Sequence, residues 1–158
     1  MAVVLYNHWY VEEIEADYNN LSQAQQEHNA KKFYDYFAGE MTLEAISGIL
    51  GNISRESTMN PRQIQAGDNG TQTQGYGLIQ WTPGSILLNW ANSKGYTWYD
   101  GNAQCEYINE ENYYTGSDAV WIPISDSQYN YTWKDFKALT DVATAARAYF
   151  YERERGTW

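Results

Sequence analysis

Glu56 is the residue of this sequence whose position most plainly suggests chemistry. Four aliphatic residues before it recur at the three-and-four spacing of a buried helix face: Ile46, Ile49, Leu50 and Ile53. Glu56 is the next inward position on that face. A carboxyl group among aliphatic side chains loses hydration of its charged form, so its pKa should rise toward the range that suits a general acid. The alternative interpretation is an ordinary polar residue that marks a helix end.

Asp68 is a second candidate carboxylate, in an irregular stretch rich in glycine. Two carboxyl groups can share acid and base work, and Asp68 could orient a water molecule or stabilise a developing cation. The sequence from Gly67 to Gly70 alone also predicts a turn, since aspartate, asparagine and glycine all favour turns. In that case Asp68 is a turn residue. Both interpretations of Asp68 remain open at this point.

A polar and aromatic edge follows at Gly75, Tyr76, Gly77, Gln80 and Trp81. Glycines let a backbone approach a ligand closely, and the Gln80 amide both donates and accepts hydrogen bonds. Tyr76 and Trp81 are candidates for stacking on sugar rings, because aromatic side chains combine a flat apolar face with a polar edge. The alternative is a tight hairpin that needs positive φ at glycine, with Trp81 in the core.

These motifs together resemble a known superfamily. The segments Glu56–Pro61 (ESTMNP) and Gly75–Pro83 (GYGLIQWTP) resemble the paired motifs of lysozymes and lytic transglycosylases. The fuller segment Gly51–Ser57 (GNISRES), taken with Gly77–Pro83 and Trp90–Ala91, is most similar to the phage tail lysozyme family. The resemblance covers residues 22 to 95 well, weakens from 96 to 145, and returns faintly at Tyr149 to Arg153.

The resemblance implies cleavage of the β-1,4 bond between N-acetylmuramic acid and N-acetylglucosamine in bacterial peptidoglycan, with Glu56 as the general acid. It implies that Ser57 braces the loop or hydrogen-bonds the Glu56 carboxyl, and that Tyr149 or Tyr151 hydrogen-bonds Glu56. A serine nucleophile is not expected, because no histidine base is paired with Ser57. The chain departs from the family at its end, where Glu154 stands in place of an expected proline, so we expect a C-terminal truncation.

Three activities remain open from the sequence. A muramidase would use water, and a lytic transglycosylase would use the same Glu56 but form 1,6-anhydro products. The third is a glycan-binding tail module without turnover. The retained Glu56 argues against a pure binding module, because burying a carboxyl costs free energy.

Periodicity and capping residues predict a mainly α, α+β lysozyme-like fold. We expect a single domain over residues 1–158, with an N-terminal arm at 1–20 and a small irregular or hairpin insert around 60–80. The predicted helices cover 23–38 after Ser22, a segment after Thr42, Pro83 to Gly95, 101–113 after Asp100, 132–139, and 140–154, with a loop at 117–127.

Composition restricts the function classes further. The 158 residues include one cysteine, Cys105, which excludes an intrachain disulfide, and no zinc or other cofactor motif is visible. A net charge of -10 argues against nucleic-acid binding. It also disfavours a freely diffusing enzyme on an anionic wall, and so favours delivery by a phage tail or a larger lytic assembly.

Targeting signals are also absent from the sequence as it stands. The longest apolar runs are too short to cross a bilayer, and residues 1–10 lack the features of a secretory signal. We therefore expect an extracellular or virion-associated protein whose signal was removed or which is exported by another route. Fifteen tyrosines and seven tryptophans suit sugar stacking, although most should fill the core and surface grooves.

Overall fold

The structure, a computed structural model, describes residues 2–116, 119–123 and 129–154. Six α-helices within these residues make up most of the regular structure: α1 (Gln23–Phe37), α2 (Leu43–Ser57), α3 (Ser85–Lys94), α4 (Gly101–Tyr113), α5 (Trp133–Phe136) and α6 (Val142–Tyr149). Four short strands accompany them: β1 (Val4–Tyr6), β2 (Trp9–Val11), β3 (Ile14–Glu15) and β4 (Gln63–Ile64). The predicted mainly α, α+β fold is confirmed.

The predicted capping residues begin their helices as expected. Ser22 Oγ accepts the Gln25 N–H at 3.1 Å, and the Gln25 side chain accepts the Ser22 N–H at 2.9 Å, which is a reciprocal capping box. Thr42 Oγ1 caps α2, and Asp100 Oδ1 accepts the Asn102 N–H at the start of α4. Local side-chain chemistry therefore sets where three of the helices begin.

Three helical predictions need correction. The helix expected from Pro83 begins at Ser85, and the one expected over 132–139 covers Trp133–Phe136. The helix expected over 140–154 begins at Val142 as α6 and continues as a π-helical turn at Phe150–Glu154, so its end was right and its start was two residues early. The loop predicted at 117–127 is described at 119–123, outside any helix or strand, and its other residues lie outside the described part of the chain.

The chain divides into two compact units. The first comprises Met1–Phe33 and Ile53–Glu106, and the second comprises Tyr34–Asn52 and Tyr107–Trp158. The prediction of one domain stays a prediction. No helix among the described residues is long and apolar enough to cross a membrane.

The first unit contains all four strands, and the N-terminal segment is not the irregular arm expected from the sequence. β1 and β2 form an antiparallel hairpin in which Tyr6 pairs with Trp9, and β3 pairs in parallel with β4 at Ile14 and Gln63. Trp9 is fully buried and lies against Gly101, where a Cβ would be 2.1 Å from the indole ring. The segment is thus part of the packed core of this unit.

The second unit is helical and has an aromatic core. Trp121, Trp133, Phe136 and Tyr149 are buried, and the stacked rings of Trp133 and Phe136 have centroids 5.3 Å apart. The apolar face of α2 contributes the fully buried Ile46 and Ile49 to this unit. Gly48 permits close packing of α2 on α6, because a Cβ there would lie 2.6 Å from the Ala146 nitrogen.

Candidate functional site

Glu56 occupies the last turn of α2, one residue before the helix ends. Its side chain is half-buried, as the apolar spacing of the preceding residues predicted. Burial raises the pKa of the Glu56 carboxyl, and the neighbouring Arg55 guanidinium offsets part of that rise. No group among the described residues donates a hydrogen bond to the Glu56 carboxyl. A protonated Glu56 is therefore free to direct its O–H at a ligand.

The chain turns sharply immediately after Glu56. Thr58 and Met59 adopt positive φ values of 51° and 63°, an uncommon conformation for residues other than glycine. The Asn60 N–H then bonds to the Ser57 carbonyl at 3.1 Å, which closes the reversal. We refer to residues 57–60 as the post-helix turn. Consecutive left-handed residues cost free energy, so surrounding contacts must hold this turn in place.

Ser57 is buried, and its hydroxyl donates to the Ile53 carbonyl one helical turn earlier, at 3.2 Å. Its own carbonyl accepts a hydrogen bond from Asn19 Nδ2 at 2.7 Å. These contacts agree with the expectation that Ser57 braces the loop. The hydroxyl does not bond to the Glu56 carboxyl, which was the alternative role.

Asp68 is buried at the centre of the loop that leads to the Gly75–Trp81 edge. Its Oδ1 accepts the N–H groups of Thr73 and Gln74 at 2.9 and 3.0 Å. Its Oδ2 accepts the Tyr76 hydroxyl at 2.6 Å and the Gln72 N–H at 3.2 Å. Burial acts to raise the pKa of Asp68, but these four donors outweigh it and lower the pKa to about 2.

Both oxygens of Asp68 are thus occupied in organising its own loop. This arrangement supports the turn interpretation, and it gives no support to Asp68 as a second catalytic carboxylate. A carboxylate held as an acceptor for four donors is poorly placed to take a proton from water, because that would break the bonds that define the loop.

Tyr76 and Trp81 are structural rather than exposed to ligand. Their side chains are 5% and 2% exposed, and their backbones exchange two hydrogen bonds of 3.0 Å across a tight turn. The Tyr76 ring packs on Trp98 with centroids 5.2 Å apart. The expected stacking on sugars is at odds with this burial, since neither ring has a face open to solvent. The burial of Trp81 agrees with the alternative interpretation, in which Trp81 lies in the core.

Gln63 joins the two halves of the sequence motif. Its backbone carbonyl accepts the Gly77 N–H at 2.9 Å and the Gln80 side-chain amide at 3.2 Å. Its Oε1 accepts Asn60 Nδ2 at 3.3 Å. The turn after Glu56 and the edge at residues 75–80 are therefore connected through a single buried glutamine, Gln63.

Gly75 and Gly77 are required by close approach rather than by flexibility alone. A Cβ at Gly75 would lie 2.8 Å from Gln80 Oε1. Gly77 has φ of 86°, and a Cβ there would lie 2.9 Å from both Gln104 Oε1 and Leu87 Cδ2. Gln80 is half-buried with φ of 54°, and its amide also donates to the Gly77 carbonyl at 2.9 Å. The edge is therefore a rigid turn.

Replacement of Gly77 by alanine should lower the free energy of unfolding by about 3 kcal/mol, from positive φ combined with overpacking. Gly67→Ala is the matched control, because Gly67 has a similar φ of 92° but nothing within 4 Å of a Cβ. That variant should lose only about 1 kcal/mol. Urea unfolding of both variants measures the difference, and equal losses would contradict a packing role for Gly77.

The remaining candidates, Tyr149 and Tyr151, belong to the second unit. Tyr149 is fully buried, with its ring 5.9 Å from that of Trp121 and 6.0 Å from that of Phe136. Tyr151 stacks on Tyr129 at 5.3 Å. Both tyrosines thus have aromatic neighbours within their own unit, and the predicted hydrogen bond to Glu56 stays a prediction.

Sequence reasoning missed Glu152, a fully buried carboxyl in the π-helical turn. Burial outweighs the hydrogen bonds from the Tyr131 N–H and Trp121 and raises the pKa of Glu152 to about 7. Its Oε1 accepts the Tyr131 N–H at 3.0 Å, and its carbonyl accepts the Ile122 N–H at 3.1 Å. These bonds join Ile122 and Tyr131 to the π-helical turn, which is a structural role.

The second unit also contains a cavity of about 490 Å³. Its described walls are three tyrosines, two glutamates and one valine: Tyr107, Glu110, Glu111, Tyr113, Tyr114 and Val120. Arg153 already forms an ion pair of 2.8 Å with Glu111 there. This pairing neutralises one of the two acidic groups, and the sequence had not singled out these residues.

Sequence reasoning also missed a set of buried amides that fix the loops near Glu56. Gln104, on α4, accepts the Leu78 N–H at 2.8 Å and donates to the carbonyls of Pro61 and Trp98, both at 2.8 Å. Asn29, on α1, bonds to both backbone groups of Tyr10. Periodicity gives no signal for such residues, because their partners are distant backbone groups.

The helical architecture, the half-buried glutamate at the end of α2 and the glycine-rich edge that follows define a lysozyme-like domain. Residues 28–157 match the phage tail lysozyme family. The chain belongs to that family, and the resemblance drawn from the sequence is confirmed. Membership assigns the domain to the lysozyme-like cell-wall hydrolases.

A relative from a phage agrees with this assignment. The chain is 34% identical over 148 residues to morphogenesis protein 1 of Bacillus phage B103. The match covers 87% of this chain and 39% of that protein. The chain therefore spans well under half the length of the curated relative that it matches.

Proposed function

We propose that this domain is a muramidase that cleaves the β-1,4 bond between N-acetylmuramic acid and N-acetylglucosamine, with Glu56 as the general acid. The observation that carries the proposal is the state of the Glu56 carboxyl. It is half-buried, its pKa is raised by burial, and no described group hydrogen-bonds to it. Membership of the phage tail lysozyme family supports the same reaction class.

The chemistry requires one acid at the leaving oxygen. As the bond between C1 of muramic acid and O4 of glucosamine stretches, positive charge develops on the muramic ring and negative charge on O4. Glu56 donates its proton to O4, so the glucosamine leaves as a neutral alcohol. Water then adds to C1 and gives its proton to the Glu56 carboxylate, which restores the acid and leaves a reducing muramic end.

We propose that the sugar binds beside the 75–80 edge, with the half-buried Gln80 as its contact there. The buried rings of Tyr76 and Trp81 support this edge from behind, and Ser57 braces the turn after Glu56. Gly75 and Gly77 let this edge pack tightly, since a side chain at either position would meet Gln80, Gln104 or Leu87.

A lytic transglycosylase is the second candidate, and the contacts of Asp68 favour it specifically. With both of its oxygens occupied by loop donors, Asp68 offers no evident base for water. In a transglycosylase the muramic 6-hydroxyl attacks C1 instead, and Glu56 alone suffices. A non-catalytic glycan-binding module is the third candidate.

The biological setting is proposed from the relative. Because that protein is named for phage morphogenesis, we propose that this chain acts on the bacterial wall as part of a virion or a related assembly. The net charge of -10 agrees with tethered delivery, since an anionic wall would repel a free enzyme of the same sign.

Product analysis tests the proposed function. Purified peptidoglycan is digested with the wild-type protein and with Glu56→Gln, and the fragments are identified by mass spectrometry. Reducing muramic ends from the wild type alone support the muramidase, and 1,6-anhydro ends would replace it with the transglycosylase. Equal cleavage by Glu56→Gln would exclude Glu56 as the acid. Glycan binding without cleavage by either protein would favour the binding module.

A further inference from the structure

The post-helix turn at residues 57–60 is held by contacts from outside its own helix. Its two left-handed residues, Thr58 and Met59, favour a different backbone conformation when unsupported. The turn leaves α2 directly after Glu56, so its conformation fixes the end of the helix that carries the carboxyl. Whatever stabilises the turn therefore influences where Glu56 points and how much water reaches it.

One anchor of the turn comes from Asn19, in the N-terminal segment. Asn19 Nδ2 donates to the Ser57 carbonyl at 2.7 Å and to Gln63 Oε1 at 3.0 Å. Asn19 Oδ1 accepts the Leu21 N–H at 3.0 Å, which orients the amide. One half-buried side chain thus connects the residue after Glu56 with the glutamine that reaches the 75–80 edge.

Two further anchors act on the same turn. The buried Asn60 side chain accepts the Glu12 N–H at 3.0 Å and donates to the Glu12 carbonyl at 2.8 Å. Its amide thus bonds both backbone groups of Glu12, as the backbone of a paired β-strand does. Asn29 Nδ2 donates to the Met59 carbonyl at 2.8 Å. The backbone at Ser57 and Met59 and the side chain of Asn60 are thus all bonded to residues 12–29.

The N-terminal segment is itself firmly attached to the first unit. Its side chains at Tyr6, Asn7 and Trp9 hydrogen-bond to residues at the start of α4 and just before it: Thr97, Asp100 and Asn102. Pairing of β3 with β4 attaches it on the other side. A segment fixed at both places is rigid enough to hold another loop in position.

We propose that the N-terminal segment, acting through Asn19, positions Glu56 for proton transfer. The segment lies before residue 28, where the match to the phage tail lysozyme family begins, so this role is additional to the family motif. Asn19 is a positioning residue and does not touch the substrate. The proposal rests on the proposed role of Glu56, but its central measurement does not require activity.

The test compares Asn19→Ala with Asn20→Ala. Asn20 is the adjacent asparagine, and its side chain bonds to Glu12 Oε1 at 3.3 Å rather than to the turn. Titration of the Glu56 carboxyl is followed by carbon NMR, with Glu56→Gln identifying the signal. In Asn19→Ala the turn loosens, water reaches the carboxyl, and the pKa of Glu56 falls toward its ordinary value. In Asn20→Ala the titration is that of the wild type.

Kinetics provide the second measurement. Misplacement of a proton donor lowers the chemical step, so kcat of Asn19→Ala should fall about 10- to 100-fold with KM changed less than about twofold. The alkaline limb of its pH profile should move to lower pH with the pKa of Glu56. A purely structural role would lower the melting temperature while leaving the Glu56 titration, the kcat of the folded protein and this limb unchanged, and would overturn the proposal.

A further variant covers failure of Asn19→Ala to fold. Asn19→Ser keeps an oxygen for the Leu21 N–H, adds no charge and loses the amide donors to Ser57 and Gln63, so it should give the same shift in the Glu56 titration. A wild-type titration in Asn19→Ser overturns the proposal. If the wild-type protein cleaves no glycan, the proposed function fails by itself, and the Glu56 titration still decides the positioning role.

Discussion

Glu56→Gln should lower the rate of glycan cleavage by about 10²- to 10⁴-fold, the usual contribution of a general acid. Glutamine matches the size of glutamate but has no acidic proton to give to the leaving oxygen. Because the Glu56 carboxyl makes no hydrogen bond among the described residues, the substitution breaks no internal hydrogen bond. The loss should therefore appear in kcat and not in folding. Release of reducing ends from purified peptidoglycan measures the rate.

The stability of the same variant checks the sign of the pKa shift. The folded pKa of Glu56 is raised above its value in the unfolded chain, so ionised Glu56 opposes folding at pH values above the unfolded pKa. That cost vanishes as pH falls below the unfolded pKa. Glu56→Gln should therefore be as stable as the wild type in acid and slightly more stable at neutral pH.

Glu44→Gln is the matched control for Glu56→Gln. Glu44 is a half-buried glutamate in the first turn of the same helix, so its replacement changes the net charge by the same amount. It should retain wild-type cleavage. Comparable losses in the two variants would indicate an effect of charge on wall binding and would remove the case for Glu56 as the acid.

The pH profile of the wild type gives an independent check. Glu56 must be protonated to act, so activity should fall as pH rises through the raised pKa of Glu56. The alkaline limb of kcat should therefore lie above the range of an ordinary glutamate. A fall in kcat centred on the ordinary glutamate pKa would contradict this prediction, because it would mean that the Glu56 carboxyl is well hydrated during turnover.

The sequence could predict α2 and Glu56 because helical periodicity is a local signal. Ile46, Ile49 and Ile53 are fully buried, and the next inward position is the half-buried Glu56. Capping residues predicted helix starts for the same reason, since a cap and the N–H that it accepts are two or three residues apart. The features that could be predicted are therefore the helices, their starts and Glu56, which all depend on residues close in sequence.

The supporting network of the site could not be predicted in the same way. Asn60 pairs with the backbone of Glu12, 48 residues earlier, and Gln104 bonds to Leu78, 26 residues earlier. In the sequence these are ordinary polar residues without periodic neighbours. The strands of the N-terminal segment have two or three residues each, too few to show alternation, and the partner of β3 lies beyond two helices.

The burial of Tyr76 was missed, and that of Trp81 was foreseen only as an alternative, for a different reason. Aromatic residues that alternate with a glycine-rich edge suit both sugar stacking and core packing, and composition does not separate the two. For Tyr76, core packing rather than sugar stacking follows from its hydroxyl, which donates to Asp68 at 2.6 Å inside the loop. Burial and this bond to a carboxylate raise the pKa of Tyr76 above its ordinary value. The ring is thus fixed to the loop that Asp68 organises.

Asp68→Ala should lower the free energy of unfolding at pH 7 by about 3 kcal/mol, because several loop donors lose a charged acceptor at once. The pKa of Asp68 in the folded protein is about 2, below its ordinary value of 3.8. Its contribution to stability is therefore present above pH 3.8 and is lost as pH falls through about 2. Urea unfolding at several pH values should show the difference in stability between the wild type and the variant narrowing as pH falls through about 2.

Tyr76→Phe separates one Asp68 contact from the rest. It removes the hydroxyl bond of 2.6 Å and leaves the carboxylate with its three backbone donors, so it should cost about 1–2 kcal/mol. In the double variant with Asp68→Ala the two losses should not add, because they share this bond. Additive losses would mean that the hydroxyl contributes independently of Asp68.

The activity of Asp68→Ala distinguishes its two interpretations. If Asp68 organises the loop, the variant assayed well below its melting temperature should keep cleavage within about tenfold of the wild type, because Glu56 still supplies the proton. If Asp68 activates water, cleavage should fall as far as in Glu56→Gln while the folded protein remains intact. Glu56→Gln without loss of stability and Asp68→Ala without matching loss of activity would together assign chemistry to one carboxyl and loop architecture to the other.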